Sequence, residues 1–140
     1  MTGYLGILAN DAQTRFGTIE VDGAAVPLIT DNIAQLDPQA TYAVMTIVPE
    51  EHSRKTLGTP SRYRVVGDVV VDLLVPVASG EDTIQAMADE VTSKFLDVST
   101  ITDGHTIRYT PAPTFVGLPV REDSHWLRSM RLPFLVDYFR

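Results

Sequence analysis

Two long runs of alternating side chains constrain the fold of this chain more than any other feature. Residues 41–49 and 63–77 both predict β-strands, because side chains two positions apart lie on the same face of a strand. In the second run, valine and leucine line one face, while Arg64, Asp68 and Asp72 interrupt the other. In the first run both faces are apolar. These strands predict a sheet with one face in a core and the other face partly covered.

Two segments follow the 3.6-residue period of amphipathic helices. Residues 3–18 form one apolar face from Leu5, Leu8, Ala9, Ala12 and Phe16. Residues 79–99 form another from Ile84, Met87, Ala88, Val91 and Phe95. The second segment opens with Ser-Gly-Glu-Asp, a capping signature whose acidic residues suit the positive end of a helix dipole. The two segments therefore predict two helices, each with one face in the core.

Short strands are predicted at residues 26–30 and 105–110, and a long final strand at residues 124–138. The first is expected at a sheet edge or with Pro27 among its first residues, since Pro27 cannot donate a ladder hydrogen bond. A turn at Asp103-Gly104 precedes the second. Pro133 places part of the last strand at an edge or a kink, and residues 114–123 are expected to be irregular.

Two further features bear on the fold: Gly67 within the second strand, and residues 49–62 before that strand. Gly67 interrupts a strand pattern, which indicates either a bulge or the close approach of another backbone. Residues 49–62 have no usable periodicity and are expected to form a long connection. Taken together, residues 1–140 predict a single α+β domain, with a mainly antiparallel sheet and two helices packed on one face.

Composition excludes several classes of function. The chain carries 11 Lys and Arg against 18 Asp and Glu, a net charge of -7, without the basic stripe of a nucleic-acid-binding protein. It has no cysteine, which excludes disulfides, thiolate metal sites and cysteine catalysis. No apolar run approaches the ~20 residues that span a bilayer, and no signal peptide is recognisable at the amino terminus.

Residues with the spacing of a catalytic or metal site are also missing. His52 is expected in the long connection, His105 at a strand start after a turn, and His125 near the start of the last strand. No two of them have the spacing HxH or HxxxH, and the sequence contains no GxSxG, Walker or GxGxxG motif. The prediction is therefore no enzyme, no catalytic residue, no metal ligand and no cofactor.

Oligomerisation is the positive prediction. Two helices on one face leave the second apolar face of the sheet without internal cover, and a partner is expected to bury it. The long connection has more length than a hairpin needs and is expected to contact a neighbouring subunit. The candidate assembly interface comprises Glu51, Arg54, Lys55, Leu57, Tyr63 and Arg64.

The order of segments resembles the phage tail terminator family, the small proteins that complete a siphophage tail tube. The resemblance lies in a helix near the amino terminus, a short strand at 27–32, the strands at 42–49 and 64–76, a helix at 84–95, Ile107-Arg108 and the terminal strand at 126–138. The helix carries Ala-Asp-Glu-Val at 88–91 and Lys-Phe at 94–95. These segments together span nearly the whole chain.

The resemblance implies a structural virion protein. A homo-oligomeric ring, commonly a hexamer, would cap the tail tube, stop its polymerisation and join it to head-completion or connector proteins. Genome DNA would pass through without specific binding, and no membrane or cofactor is implied. Assembly would take place in the host cytoplasm. Three alternatives are another neck or minor tail assembly subunit, a small enzyme whose site is built from loop residues, and a small ligand-binding domain outside viruses.

Overall fold

A computed structural model describes residues 3–17, 19–21, 24–29, 41–79, 81–122 and 124–140. Gly80 of the capping signature and Thr30 of the strand predicted at residues 26–30 lie outside the described residues. The described helices are α1 (Tyr4–Phe16) and α2 (Glu81–Phe95), with a 3-10 turn at Val77–Ser79. The described strands are β1 (Glu20–Val21), β2 (Ala24–Ala25), β3 (Leu28–Ile29), β4 (Tyr42–Arg54), β5 (Arg62–Pro76), β6 (Val98–Thr102), β7 (His105–Tyr109), β8 (Thr114–Glu122) and β9 (His125–Phe139).

One mixed sheet organises the described residues. Its strand order is β3-β4-β5-β9-β7-β6, and β8 pairs with β9 beside β7. Only β3 and β4 are parallel; the other pairs of this sheet are antiparallel. Strands β1 and β2 form a separate antiparallel ladder. The predicted α+β class with a mainly antiparallel sheet is thus confirmed.

One hydrophobic cluster contains buried side chains of both helices and of the central strands. Alternate residues of β5 from Val65 to Val75 point into it and are buried, apart from the position of Gly67, where no side chain is present. The predicted apolar face of α2 is confirmed, since Ile84, Met87, Ala88, Val91 and Phe95 are all buried. In α1 the buried face consists of Ile7, Leu8, Ala12 and Phe16. The expectation for Leu5 was wrong, because this side chain is 44% exposed.

The predicted long connection over residues 49–62 is mostly a β-hairpin. Strand β4 continues to Arg54 and pairs with β5 up to Arg54 opposite Tyr63, so that residues 55–61 alone connect the strands. A bulge explains why the pattern was lost: Pro49 pairs with Gly67 and Glu51 with Val66, which leaves Glu50 as the extra residue. On the carboxyl-terminal side of that bulge, even-numbered residues of β4 such as His52 lie on the side of the sheet that odd-numbered residues occupy before it.

Gly67 is not itself a bulge but lies opposite the bulge of β4, and the predicted close approach of another backbone is confirmed. A Cβ at this position would lie 2.4 Å from the Val48 carbonyl oxygen and 2.8 Å from the Pro49 Cα. The bulged backbone of β4 therefore approaches β5 at a point where a side chain has no room.

Three features need comparison with the prediction: the end of α2, the strand β8 and the position of Pro133. Helix α2 ends at Phe95, and the residues expected to continue it form β6 after Asp97, which has a φ of 48°. Residues 114–122, expected to be irregular, form β8. Pro133 lies in the central strand β9 opposite Asp68, and neither β7 nor β8, as described, pairs with β9 at that position. A missing N–H is tolerated at such an interruption of the ladder.

Candidate functional site

The six residues of the candidate assembly interface all lie on the β4–β5 hairpin, but they divide into two groups. Glu51, Lys55 and Leu57 are exposed, and Leu57 at the hairpin tip (residues 55–61) is 91% exposed. Arg54 and Arg64 instead make contacts within the subunit. The hairpin tip thus exposes the apolar side chain of Leu57, while Arg54 and Arg64 make hydrogen bonds within the subunit.

Hydrogen bonds close the hairpin tip. The Arg54 guanidinium donates to the carbonyl oxygens of Thr56 and Gly58, at 3.0 and 3.1 Å, and to the Ser61 hydroxyl at 2.6 Å. The Lys55 N–H donates to the Arg62 carbonyl at 2.8 Å. These bonds give the exposed Leu57 a defined position relative to the sheet.

Ion pairs cross the sheet face that carries Arg64. Its guanidinium binds both carboxylate oxygens of Asp137, at 2.8 and 2.9 Å, and this contact holds the pKa of Asp137 below its ordinary value of 3.8. On the same face Arg131 lies 3.3 Å from Asp68. Burial and a hydrogen bond with Glu50 raise the pKa of Asp68, whereas Arg131 lowers it. Arg64 and Asp68, which interrupt this face of β5, are thus paired with opposite charges within the subunit.

Tyr63 belongs to an aromatic cluster that the sequence analysis missed. The cluster consists of Tyr4, His52, Tyr63, His105 and Tyr138. Tyr138 is central: its ring stacks on Tyr63 at 5.6 Å and on His105 at 5.0 Å between centroids, and its hydroxyl lies 2.6 Å from His52 Nε2. An open depression of ≈ 690 Å³ is lined by Tyr4, His52, His105 and Tyr138 of this cluster, with Asp103 and Arg140.

The aromatic cluster could have been predicted only from the pairing of residues on neighbouring strands. Tyr63 pairs with Tyr138, and Tyr138 pairs with His105, so that the three rings form a row across β5, β9 and β7. The expected loop position of His52 was wrong, because this residue lies on β4 and contacts three rings of the cluster, although its side chain is exposed.

His125 and Tyr109 both contact other side chains of the subunit. His125 is buried, with its ring 5.3 Å from that of Tyr42. The Tyr109 hydroxyl donates to Asp11 at 2.6 Å, and burial together with that carboxylate raises the pKa of Tyr109.

Within the described residues, no group of three or more His, Cys, Asp or Glu is placed to hold a metal ion. No helix described for this chain has the length and apolar character that crossing a membrane requires.

Comparison with known proteins gives one match in sequence and several in structure. A sequence model described as phage tail terminator protein matches residues 8–134. No curated protein sequence matches the chain. Among the 18 solved chains that match, one is 20% identical, with a TM-score of 0.63 over 95% of this chain and 89% of that chain. At this identity the structural likeness concerns the fold alone.

Proposed function

Because the chain belongs to the phage tail terminator family, we propose that its subunits close into a ring that caps the tail tube. The ring, a hexamer, stops polymerisation of the tube and joins it to head-completion proteins. The observation that carries this proposal is the extent of the family match, which spans residues 8–134 and so includes all of α2, most of α1 and most of the sheet.

The proposed architecture places both helices on one face of the sheet and leaves the hairpin free for assembly. Burial of α1 and α2 side chains in one cluster with the inward residues of β5 supports this placement. The exposed Leu57, supported by the Arg54 hydrogen bonds, supports a contact between the hairpin tip and a neighbouring subunit or the tube. Leu57, Lys55 and Glu51 form this contact, while Arg54, Tyr63 and Arg64 keep the hairpin in shape.

The role is structural and not catalytic. Tail terminators are structural proteins, and the described histidines contact aromatic rings of the subunit itself. A net charge of -7 in each subunit gives an acidic ring, through which DNA passes without specific binding because like charges repel. The protein is a component of the virion tail that assembles in the host cytoplasm.

Capping of tubes in vitro tests the proposal. Purified protein is added to tail tube protein that is polymerising, and tube lengths and ends are measured by electron microscopy. We expect a ring at one end of each tube and an arrest of growth. Continued elongation with bare ends would contradict the function. A ring that binds head-completion protein but not the tube would assign the chain to the neck instead.

The hairpin contact has a matched control. Leu57→Ser removes the most exposed large apolar side chain of the tip, and Ile101→Ser removes one that is 78% exposed on β6. We expect both variants to melt like the parent, since neither side chain is in the core, and only Leu57→Ser to cap tubes poorly. Equal capping by the two variants would show that the hairpin tip is not an assembly element.

A further inference from the structure

Three arginines surround one carboxylate on the sheet. Arg62 and Arg64 are on β5 and Arg108 is on β7, while Asp137 is on β9, the strand between them. All three guanidinium groups lower the pKa of Asp137, which requires that they lie close to it. We call Arg62, Arg64 and Arg108 the arginine patch.

The arginine patch lies on the face of the sheet opposite the core. Val65 of β5 belongs to the core cluster, so its neighbour Arg64 lies on the other face, and so does Arg62 two positions away. On β7 the buried residues Ile107 and Tyr109 flank position 108 in the same way. The three guanidinium groups therefore share one face.

The patch has more positive charge than its surroundings neutralise. Arg64 makes the bidentate contact with Asp137. In the part of the chain that the structure describes, no ion pair includes Arg62 or Arg108. The Arg62 Nε is buried and has no hydrogen-bond partner, and Arg108 is exposed. Because like charges repel, the patch is stabilised by a partner that brings carboxylates.

Helix α2 presents a surface of the opposite charge. Its buried face belongs to the core cluster, and Asp82, Asp89 and Glu90 are exposed. Asp82 and Asp89 are seven residues apart and so point in nearly the same direction. Residues 82–93 contain no basic residue. No other helix or strand that the structure describes has three exposed acidic residues. We call Asp82, Asp89 and Glu90 the acidic stripe.

The two surfaces also have similar lengths. Along β9, the positions that pair with Arg62 and Arg108 are four residues apart, which spans about 13 Å at a strand rise of about 3.3 Å per residue. The acidic stripe spans about 12 Å from Asp82 to Glu90 at about 1.5 Å per residue. A helix that lies along the strands therefore places its carboxylates over the arginines.

We propose that the arginine patch of one subunit binds the acidic stripe on α2 of the next subunit. In the proposed architecture α2 covers the core face of the sheet, so the stripe and the patch lie on opposite sides of a subunit. A contact between two different surfaces is head-to-tail, and such contacts generate a ring when the rotation closes. This inference rests on the proposed ring and specifies how its subunits meet.

Reversal of one charge tests each side of the contact. Arg108→Glu acts on the patch and Asp89→Lys on the stripe, with Arg121→Glu and Glu20→Lys as controls that make the same change of charge elsewhere. All four side chains are exposed, so we expect all four variants to melt like the parent. The first two should raise the concentration needed for ring assembly, free or on tube ends, by at least about 10-fold. The controls should change it by less than about 2-fold.

Combining the two reversals tests whether these surfaces meet each other. In a chain with both Arg108→Glu and Asp89→Lys, each contact again joins opposite charges, and ring assembly should recover towards that of the parent. An equimolar mixture of the two single variants should also assemble better than either alone, since alternating subunits satisfy both contacts. Light scattering after size-exclusion chromatography measures both results. A double variant that assembles no better than the single variants would contradict the pairing.

A cross-link supplies a test that does not depend on a disruptive variant. Arg108→Lys keeps the positive charge and introduces an amine, which a carbodiimide joins to a carboxylate in direct contact. We expect mass spectrometry of the oligomer to find position 108 linked to Asp82, Asp89 or Glu90. The control Arg121→Lys should give no link to α2. Absence of the link in assembled Arg108→Lys rings would overturn the proposed contact.

Labelled duplex DNA tests the other polyanion that an arginine patch can bind. The proposal expects Arg108→Glu to leave DNA binding as it is in the parent. Rings of Arg108→Glu that assemble normally but lose DNA binding would assign the patch to DNA and contradict the subunit contact.

The outcomes separate this inference from the proposed function. If the parent forms rings and caps tubes, while both charge reversals do the same and no cross-link to α2 forms, the interface is wrong and the function remains. If the parent neither forms rings nor caps tubes, the proposed function fails together with the interface.

Discussion

Substitution of Gly67 by alanine should destabilise the subunit through the contact between β4 and β5. The new methyl group would lie 2.4 Å from the Val48 carbonyl oxygen, 2.8 Å from the Pro49 Cα and 3.0 Å from the Phe134 Cζ. Two of these three atoms belong to the backbone of the bulged strand, which cannot move aside by rotating a side chain. Overpacking of this kind costs about 1–3 kcal/mol.

The lower conformational entropy of alanine in the unfolded chain offsets about 0.5–1 kcal/mol of that cost. A net loss of about 1–2 kcal/mol corresponds to a fall in Tm of roughly 3–8 °C for a chain of this size. Differential scanning calorimetry measures this change directly. Gly3→Ala is the matched control, because Gly3 has an ordinary φ of -72° and nothing within 4 Å of a Cβ. A Gly67→Ala protein that melts at or above the Tm of the parent would refute the steric argument.

Three further predictions concern the core and its polar contacts. Phe95→Ala should lower the free energy of unfolding by about 3–5 kcal/mol in urea titrations, because its ring is fully buried; an unchanged midpoint would mean that the helical face is misassigned. Tyr109→Phe should lower it by about 1–2 kcal/mol, since Asp11 loses a buried hydrogen bond, and parental stability would argue against that bond. The Arg64 contact lowers the folded-state pKa of Asp137, so its stabilisation is present above pH 3.8 and lost as pH falls through that lower pKa. Asp137→Asn should therefore flatten the acid side of a plot of Tm against pH, and an unaltered acid slope would contradict this assignment.

Local periodicity predicted the elements whose pattern is continuous. Both helices, the strand β5 and the inward face of β9 follow from apolar spacing, because each buries one face along its length. The hairpin was missed because a single extra residue, Glu50, reverses the alternation of β4 midway. Local spacing cannot distinguish that reversal from a loop.

Two prolines lie within strands for a related reason. Pro119 lies in β8 within residues expected to be irregular, because an edge strand tolerates a residue that cannot donate on its free side. Pro133 argued against a central position, yet β7 and β8 leave an interruption beside it. In both cases the deciding fact is which neighbour lies alongside, and this depends on residues distant in sequence.

The candidate site was predictable only in part for the same reason. The exposure of Leu57 follows from its charged surroundings in sequence. The aromatic cluster instead unites residues from α1, β4, β5, β7 and β9, and the bidentate contact of Arg64 joins positions 73 residues apart. Only the strand pairing brings these groups together.

The place of β9 in the sheet has a consequence for the kinetics of folding. This strand is the last of the described elements in sequence, yet it joins the β4–β5 hairpin on one side to β7 and β8 on the other. Each hairpin can form from neighbouring residues, whereas their union waits for pairings such as Arg62 with Phe139. Folding rates fall as contacts become less local, because loop-closure entropy precedes the gain from pairing. The rate-limiting event is therefore expected to be the pairing of β9 with β5 and β7, and substitutions in β9 should slow refolding more than substitutions in the β6–β7 turn.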